Sequence, residues 1–329
     1  MRLRLPPALA LFLLAPAVGE LLSGSSPPFE YFQPLALALL AGLYGGGALI
    51  LRELTLRWGK GKATLLVLGA AYGIIEEALM VKSFFDPAWP DLGILGEYGR
   101  WLGVNWVWAF FLTLYHAVFS ITLPILLVEL AYPDRRDTPW ISRRGFGVVA
   151  SVFVSVVLLG FFGLTPYIPP PSLYALFLIL VILLFWIAYR LPADLGYGGK
   201  KPLPRPAFWW AFGIGGSLLF FGGLYLAPII IPHPLIVILL SAAFILLYGD
   251  RLRRYAWRRE GARPRLALAA GGLSLFILIA PLQELDASRP DNTQGMSLVG
   301  LGFALLLVLL WRRVSLSQQL EREQGPVKT

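Results

Sequence analysis

The sequence predicts an all-α fold, a polytopic integral membrane bundle of about ten helices, and three observations carry that prediction. Of the 329 residues, 57% are hydrophobic and 14% charged, and the mean hydropathy is +0.69, far from the balance of a soluble globular chain. Apolar runs close to the roughly 17–25 residues that cross a bilayer recur near 7–22, 34–51, 63–82, 105–130, 145–163, 172–189, 208–226, 234–248, 267–282 and 296–311. The third observation is charge placement. With the amino terminus inside, the alternate connections on the cytoplasmic side collect all but three (Lys82, Arg100 and Arg289) of the 28 basic residues. Both termini are therefore expected in the cytoplasm.

Glu20, Glu30, Asp86, Asp91, Glu97, Glu284, Asp286 and Asp291 fall on the opposite, outer side. The net charge of +9 thus reflects topology and contact with the bilayer's anionic lipid headgroups, and nucleic acid is not an expected partner. Absence of cysteine removes disulfides, thiol catalysis and cysteine metal sites. Few Met and Asn residues with much Arg fit a thermophile or GC-rich coding, and the expected location is the inner (plasma) membrane of a prokaryote.

The first run, MRLRLPPALALFLLAPAVGELL, has the basic start of a signal peptide, but no A-x-A site follows it and we expect a retained span. Spans one to four carry most of the intramembrane polar groups. The third, ATLLVLGAAYGIIEEALMV, contains Glu76 and Glu77, and the fourth, NWVWAFFLTLYHAVFSITLPILLVEL, contains His116. Between them the outer loop 86–105 interleaves Trp and Tyr with Gly, the composition of a segment lying on or dipping into the interface as a lid. Spans five to ten are mostly Leu, Ile, Val, Phe and Gly, joined outside by TPYIPPPS and APIIIPHP. We expect one transmembrane domain over 1–314, with a polar, site-bearing part (1–131), an apolar scaffold (145–314) and a short polar cytoplasmic tail (315–329). The inner loop YGDRLRRYAWRREGARPRL reads as an anchor for spans eight and nine on anionic lipid.

Charge at membrane depth is costly and usually marks function, so the candidate site is built around Glu76, Glu77 and His116. Gly69, Gly73 and Glu77 recur at helical spacing, which turns Glu77 toward a closely packed neighbour, with Glu76 about 100° around on the side of Tyr72 and Met80. Glu77 is thus the expected better-packed carboxyl. Two adjacent carboxyls in low dielectric cannot readily both ionise, which leaves an acid beside a base. On the fourth helix Asn105, Thr113, His116 and Ser120 share a face; Glu20, at the outer end of span one, is a further candidate for lining the site. For His116 to reach Glu77, the third helix has to continue through Phe85 to the Asp86–Pro87 pair. Glu53 and Glu129 read as interfacial ion-pair partners, and His233 as a loop histidine. No Walker loop, Rossmann fingerprint or H-E-x-x-H is present, so no cofactor or metal is expected.

From Gly69 to Pro124 the chain resembles the double-glutamate region of the CAAX prenyl-protease-like (CPBP, or ABI) intramembrane proteases and, less closely, PrsW-type membrane proteases. It departs from the first pattern: Lys82, five residues after Glu77, stands for the expected arginine four after, Leu112 for the phenylalanine before the histidine, and a second intramembrane histidine is missing unless His233 fills the role. The resemblance implies that Glu76 and Glu77 activate water against a peptide carbonyl of a membrane-protein or peptide substrate while His116 stabilises the oxyanion. The residues alone equally allow proton-coupled transport, or a structural membrane component whose polar groups fix helix register.

Overall fold

The computed structural model describes residues 5–196, 198–257 and 261–323. Arg2, Arg4, Arg258, Arg259 and the end of the tail, all used in the charge pattern, lie outside them. The architecture is an all-α bundle: α1 (Pro7–Leu22), α2 (Pro34–Arg57), α3 (Lys62–Met80), α4 (Trp106–Ala131), α5 (Arg143–Gly163), α6 (Pro171–Arg190), α7 (Pro206–Ile230), α8 (Pro234–Arg253), α9 (Ala262–Leu285) and α10 (Met296–Glu323). Among the described residues nine of these are long and apolar enough to cross a membrane, and α1 is the shorter tenth. Each corresponds to a span expected from sequence. The start of the polar tail is helical, since α10 continues through it to Glu323, and Arg263 donates to the Ser315 hydroxyl at 3.1 Å.

Helix starts follow local chemistry. Proline opens α2, α6, α7 and α8, where its missing N–H is one the helix would leave unpaired anyway. Asn105 and Ser142 instead cap α4 and α5 by accepting from Trp108 N and Gly145 N, each at 3.0 Å.

Burial separates the two halves of the chain. Over their apolar windows α3 is 72% and α4 67% buried, against 11% for α5, 17% for α6 and 6% for α8. The central helix is α4. Its Ile121, Ile125 and Val128 pack with α1, α2 and α3; Val107, Trp108 and Phe111 pack with α3, the outer loop and α6; Tyr115, Phe119 and Leu123 pack with α1, α9 and α10. His116 is therefore held by the most constrained helix of the bundle. In the scaffold half α7 and α9 touch backbone to backbone, since a Cβ at Gly213 or Gly271 would collide with main-chain atoms of the other helix.

The outer connection 81–105 is folded, with a short antiparallel pair, β1 (Arg100–Trp101) and β2 (Val104–Asn105). Leu92, Leu95 and Val104 are buried in it. Asn105 ties it down, its backbone N–H donating to Phe84 O at 2.8 Å and its side chain to Leu95 O at 2.5 Å. Inside, Trp257 and Tyr255 of the basic loop pack on Trp209 of α7, with ring centroids at 4.6 and 4.9 Å. That loop is fixed to protein through its aromatic residues.

Orientation is testable because the chain has no native cysteine. Leu195→Cys, on an inner connection, should be protected from an impermeant thiol reagent in intact cells, while Ile94→Cys, exposed in the outer loop, should label strongly. The reverse pattern would overturn the topology.

Candidate functional site

Four helices deliver the site, and each does so from a widened, π-helical turn: Ala17–Leu22 carries Glu20, Ala41–Gly45 carries Tyr44, Ile75–Met80 carries Glu76 and Glu77, and His116–Thr122 carries His116 and Ser120. Such turns insert one extra residue into the hydrogen-bond ladder and concentrate at functional sites. In α3 the register is visible in Val81 N–H, which bonds Glu76 O at 2.9 Å, five residues back. In α4 the cause is readable. Pro124 supplies no N–H to the preceding turn, and the Thr122 hydroxyl bonds the Ala117 carbonyl at 2.7 Å, again five residues back.

The side chains form one connected chain. Tyr44 Oη lies against Glu20 Oε1 and Glu76 Oε1 together. His116 Nε2 is 2.9 Å from Glu77 Oε1, and Nδ1 is 3.0 Å from Ser120 Oγ and 3.3 Å from Glu76 Oε2. Beyond Glu77, Ser83 Oγ donates to Oε2 and itself accepts from Trp108 Nε1 at 3.1 Å. At the other end Ser26 Oγ donates to Glu20 Oε2 at 2.8 Å. His116, Ser120, Glu76, Glu77 and Tyr44 are all buried.

Proton counting constrains this arrangement. One phenolic hydroxyl carries one proton and faces two carboxyl oxygens, so if Tyr44 bonds both, one of the carboxyls must itself carry a proton and donate to the phenol oxygen. With Nε2–H donating to Glu77, His116 Nδ1 is left to accept from Ser120 or, when protonated, to face Glu76. Among the described residues Glu76 Oε2 and Tyr72 Oη make no hydrogen bond, and the Tyr72 ring lies 5.9 Å from the imidazole.

Small residues bring the helices to this distance. A Cβ at Gly69 would meet Ala117 backbone, and at Gly73 it would lie 3.0 Å from His116 Cβ and 3.1 Å from Thr113 Cα. The stripe expected from sequence is therefore the α3–α4 contact. Two expectations built on it are corrected. Glu77 is not better packed than Glu76, their exposures being 8% and 6%, because the widened turn sends both carboxyls to the same imidazole. Nor does α3 continue through Phe85: it stops at Met80, and Lys82 takes a left-handed φ of 65°. The depths match for another reason. The segment after Lys82 turns back into the protein, and Asn105 starts α4 beside Phe84.

The other candidates are distributed as follows. Glu20, Ser120 and Tyr72 are at the site. Thr113 meets Gly73 through its backbone. Asn105 is a helix cap bonded to Leu95 and Trp108 and does not reach His116 by hydrogen bond. Lys82 is buried, donating to Phe161 O at 2.6 Å and Thr165 O at 2.9 Å. Glu53 is an ion-pair partner but a fully buried one, taking Arg52 at 2.9 Å, Arg57 at 3.1 Å and Trp140 N at 2.8 Å; Glu129 pairs with Lys62 at 2.5 Å. His233 is exposed before α8. Sequence reasoning missed Tyr44, Ser83 and Trp108. The Tyr44 ring occupies the space left by Gly19 of α1, a contact between two helices that the sequence around Tyr44 does not display.

Chemically, the cluster can hold, share and pass protons over a carboxyl–phenol–carboxyl–imidazole–carboxyl sequence. Glu76, Glu77 and His116 also offer donor atoms all within 4.8 Å of one another, a type of set that divalent metals accept. The hydrogen bond between His116 and Glu77 satisfies those two groups without an ion.

The packing is testable apart from the chemistry. Gly73→Val should destabilise the protein in detergent by about 1–3 kcal/mol through overpacking against His116 and Thr113, lowering its thermal midpoint. Gly163→Val, at a position with nothing within 4 Å of the added carbon, should not. Equal midpoints would mean that the α3–α4 approach is looser than described.

Comparison with known proteins places the chain without assigning it a reaction. No curated protein and no solved structure matches it. A family model does, described as an uncharacterized membrane protein family, over residues 9–322. A match of that extent covers the four site helices and the scaffold alike, and the chain belongs to this family of membrane proteins.

Proposed function

We propose that the chain is a proton-coupled membrane transporter whose relay is Glu20, Tyr44, Glu76, His116 and Glu77. The observation that carries the reading is the Tyr44 hydroxyl placed against Glu20 and Glu76 at once, because it joins carboxyls of two helices into a single path that His116 extends to a third. Ionisable chains of this kind at membrane depth serve proton movement in pumps and transporters. Their members come from four separate helices, so a change of protonation acts on the mutual packing of those helices.

A second reading, glutamate-dependent intramembrane peptidase, is favoured by the 2.9 Å contact of His116 with Glu77, which would orient a carboxylate base for water. Against it, Lys82 stands for the arginine of the double-glutamate pattern and is spent on the Phe161 and Thr165 carbonyls.

The test uses the full chain in sealed proteoliposomes under an imposed pH gradient, offered a mixed metabolite extract and analysed by mass spectrometry. At least one solute should accumulate in a protonophore-sensitive, chelator-insensitive way. Tyr44→Phe, Glu77→Gln and His116→Ala should each lower that uptake by about tenfold or more, with His233→Ala near wild type. Uptake that survives both Tyr44→Phe and Glu77→Gln, or no gradient-driven uptake by wild type, would overturn the reading; cleavage of a co-reconstituted single-span protein, lost in Glu77→Gln, would install the second one.

A further inference from the structure

At the end of the bundle opposite the Glu–His cluster, a cavity of about 300 Å³ is lined by Arg52, Lys60, Lys62, Arg136 and Arg265 against only Glu129 and Asp137. Its walls come from α2, the turn between α2 and α3, the start of α3, the end of α4, the connection after α4, and α9. We infer that this cavity is a binding site for a phosphate-bearing anion, independent of the transport reading.

The two acids offset only two of the five cations. Glu129 is taken by Lys62 at 2.5 Å and Asp137 by Arg136 at 3.2 Å. Arg52, 3% exposed, is bonded to Glu53 outside the cavity and to the carbonyl of Thr138 at 2.8 Å. The Lys60 ammonium donates to Leu191 O at 2.7 Å, a neutral acceptor that leaves its charge uncompensated. A positive-inside bias requires basic residues near the inner surface; it does not require five of them, drawn from several segments, to face one concavity. Basic pockets between helices on the inner side are where anionic headgroups bind.

The backbone adds to the side chains. Gly59, in the left-handed region at φ 64°, has open space where a Cβ would be. Gly61 is the N-cap of α3 and provides no side-chain cap, so the first N–H groups of that helix, with the positive end of its dipole, are left for an anion. A phosphate there would be approached by Lys60 and Lys62 as point charges and by arginine as a planar fork.

The source of the phosphate is either a lipid headgroup or a free anion, and one experiment separates them. The full chain, purified and delipidated in neutral detergent, is heated with phosphatidylglycerol, phosphatidylcholine or inorganic phosphate, and lipid retention is read by native mass spectrometry. Phosphatidylglycerol should raise the thermal midpoint and be retained over phosphatidylcholine. Stabilisation by inorganic phosphate as well would assign the site to free anions too.

Two variants keep the result interpretable. Lys60→Ala should weaken the stabilising effect about tenfold in concentration, the size of one charge-assisted hydrogen bond. Gly61→Asp supplies a favourable N-cap while placing a carboxylate where the phosphate would sit, so the ligand-free midpoint should hold or rise as the response disappears. Stabilisation by none of the ligands, or a response unchanged in both variants, would overturn the assignment.

Discussion

A carboxyl group carried into hydrocarbon must find partners within the protein, because an ionised side chain at the centre of a spanning helix costs on the order of 3 kcal/mol even on the mildest scale. Here three carboxyls, a phenol and an imidazole meet that demand through one another. Glu20 needs Tyr44, Tyr44 reaches Glu76, and His116 stands between Glu76 and Glu77. Since these groups arrive on four helices, their hydrogen bonds fix the register of all four. The glycines follow from it: α3 has to lie against α4 closely enough for a glutamate and a histidine to touch, so Gly69 and Gly73 face Ala117, Thr113 and His116. Helices α5, α6 and α8 bear no such constraint, and only 11%, 17% and 6% of their apolar windows is buried.

The widened turns of α1 to α4 act on the same constraint, while a further one, Gly222–Leu226 in α7, carries no site residue. In a regular helix adjacent residues project about 100° apart, so Glu76 and Glu77 are not expected to address one imidazole alike. An extra residue in the turn gives each helix a locally different rotation, and in α3 it brings both carboxyls to the two nitrogens of His116. Three other helices make the same adjustment where they carry Glu20, Tyr44 and His116.

The fold was legible because bilayer thickness imposes a length on every span and headgroup charge imposes a sign on alternate loops; both constraints act on composition, which a single sequence displays. The choice of Glu76, Glu77 and His116 was legible for the related reason that charge in an apolar run is exceptional. Their geometry was not. Hydrophobic periodicity assumes 3.6 residues per turn, and the π-helical turns break that assumption at the site residues themselves, so Glu77 was ranked above Glu76 without cause. Lys82, counted in the sequence among the basic residues outside the cytoplasmic connections, is satisfied by two carbonyls in the interior, which a lysine near a helix end does not announce. Tyr44 was passed over because tyrosine is ordinary in a membrane chain; only the identity of what faces its hydroxyl makes it part of the site. Asn105 shares a helical face with His116, yet its place at the first turn makes it a cap.

Helix α3 has the acidic cluster near one end and the basic cavity at the other, roughly 22 Å apart between Lys62 and Glu77 at 1.5 Å per residue. It is bounded by two left-handed residues, Gly59 at φ 64° and Lys82 at φ 65°. Gly59 adopts that conformation freely, but a lysine does so at a cost, and its ammonium bonds to the Phe161 and Thr165 carbonyls hold it there. The rod between these turns carries no proline and packs against α4 through Gly69 and Gly73, and the break in its regular ladder is the widened turn Ile75–Met80. A ligand at one end can act on the other only through an element with two arrangements that both sites distinguish. The irregular elements of α3 are its widened turn and the two bounding turns, and the Lys82 turn is the one bonded to Phe161 of α5 and to Thr165 just beyond it, so a movement of the site would reach the scaffold half there.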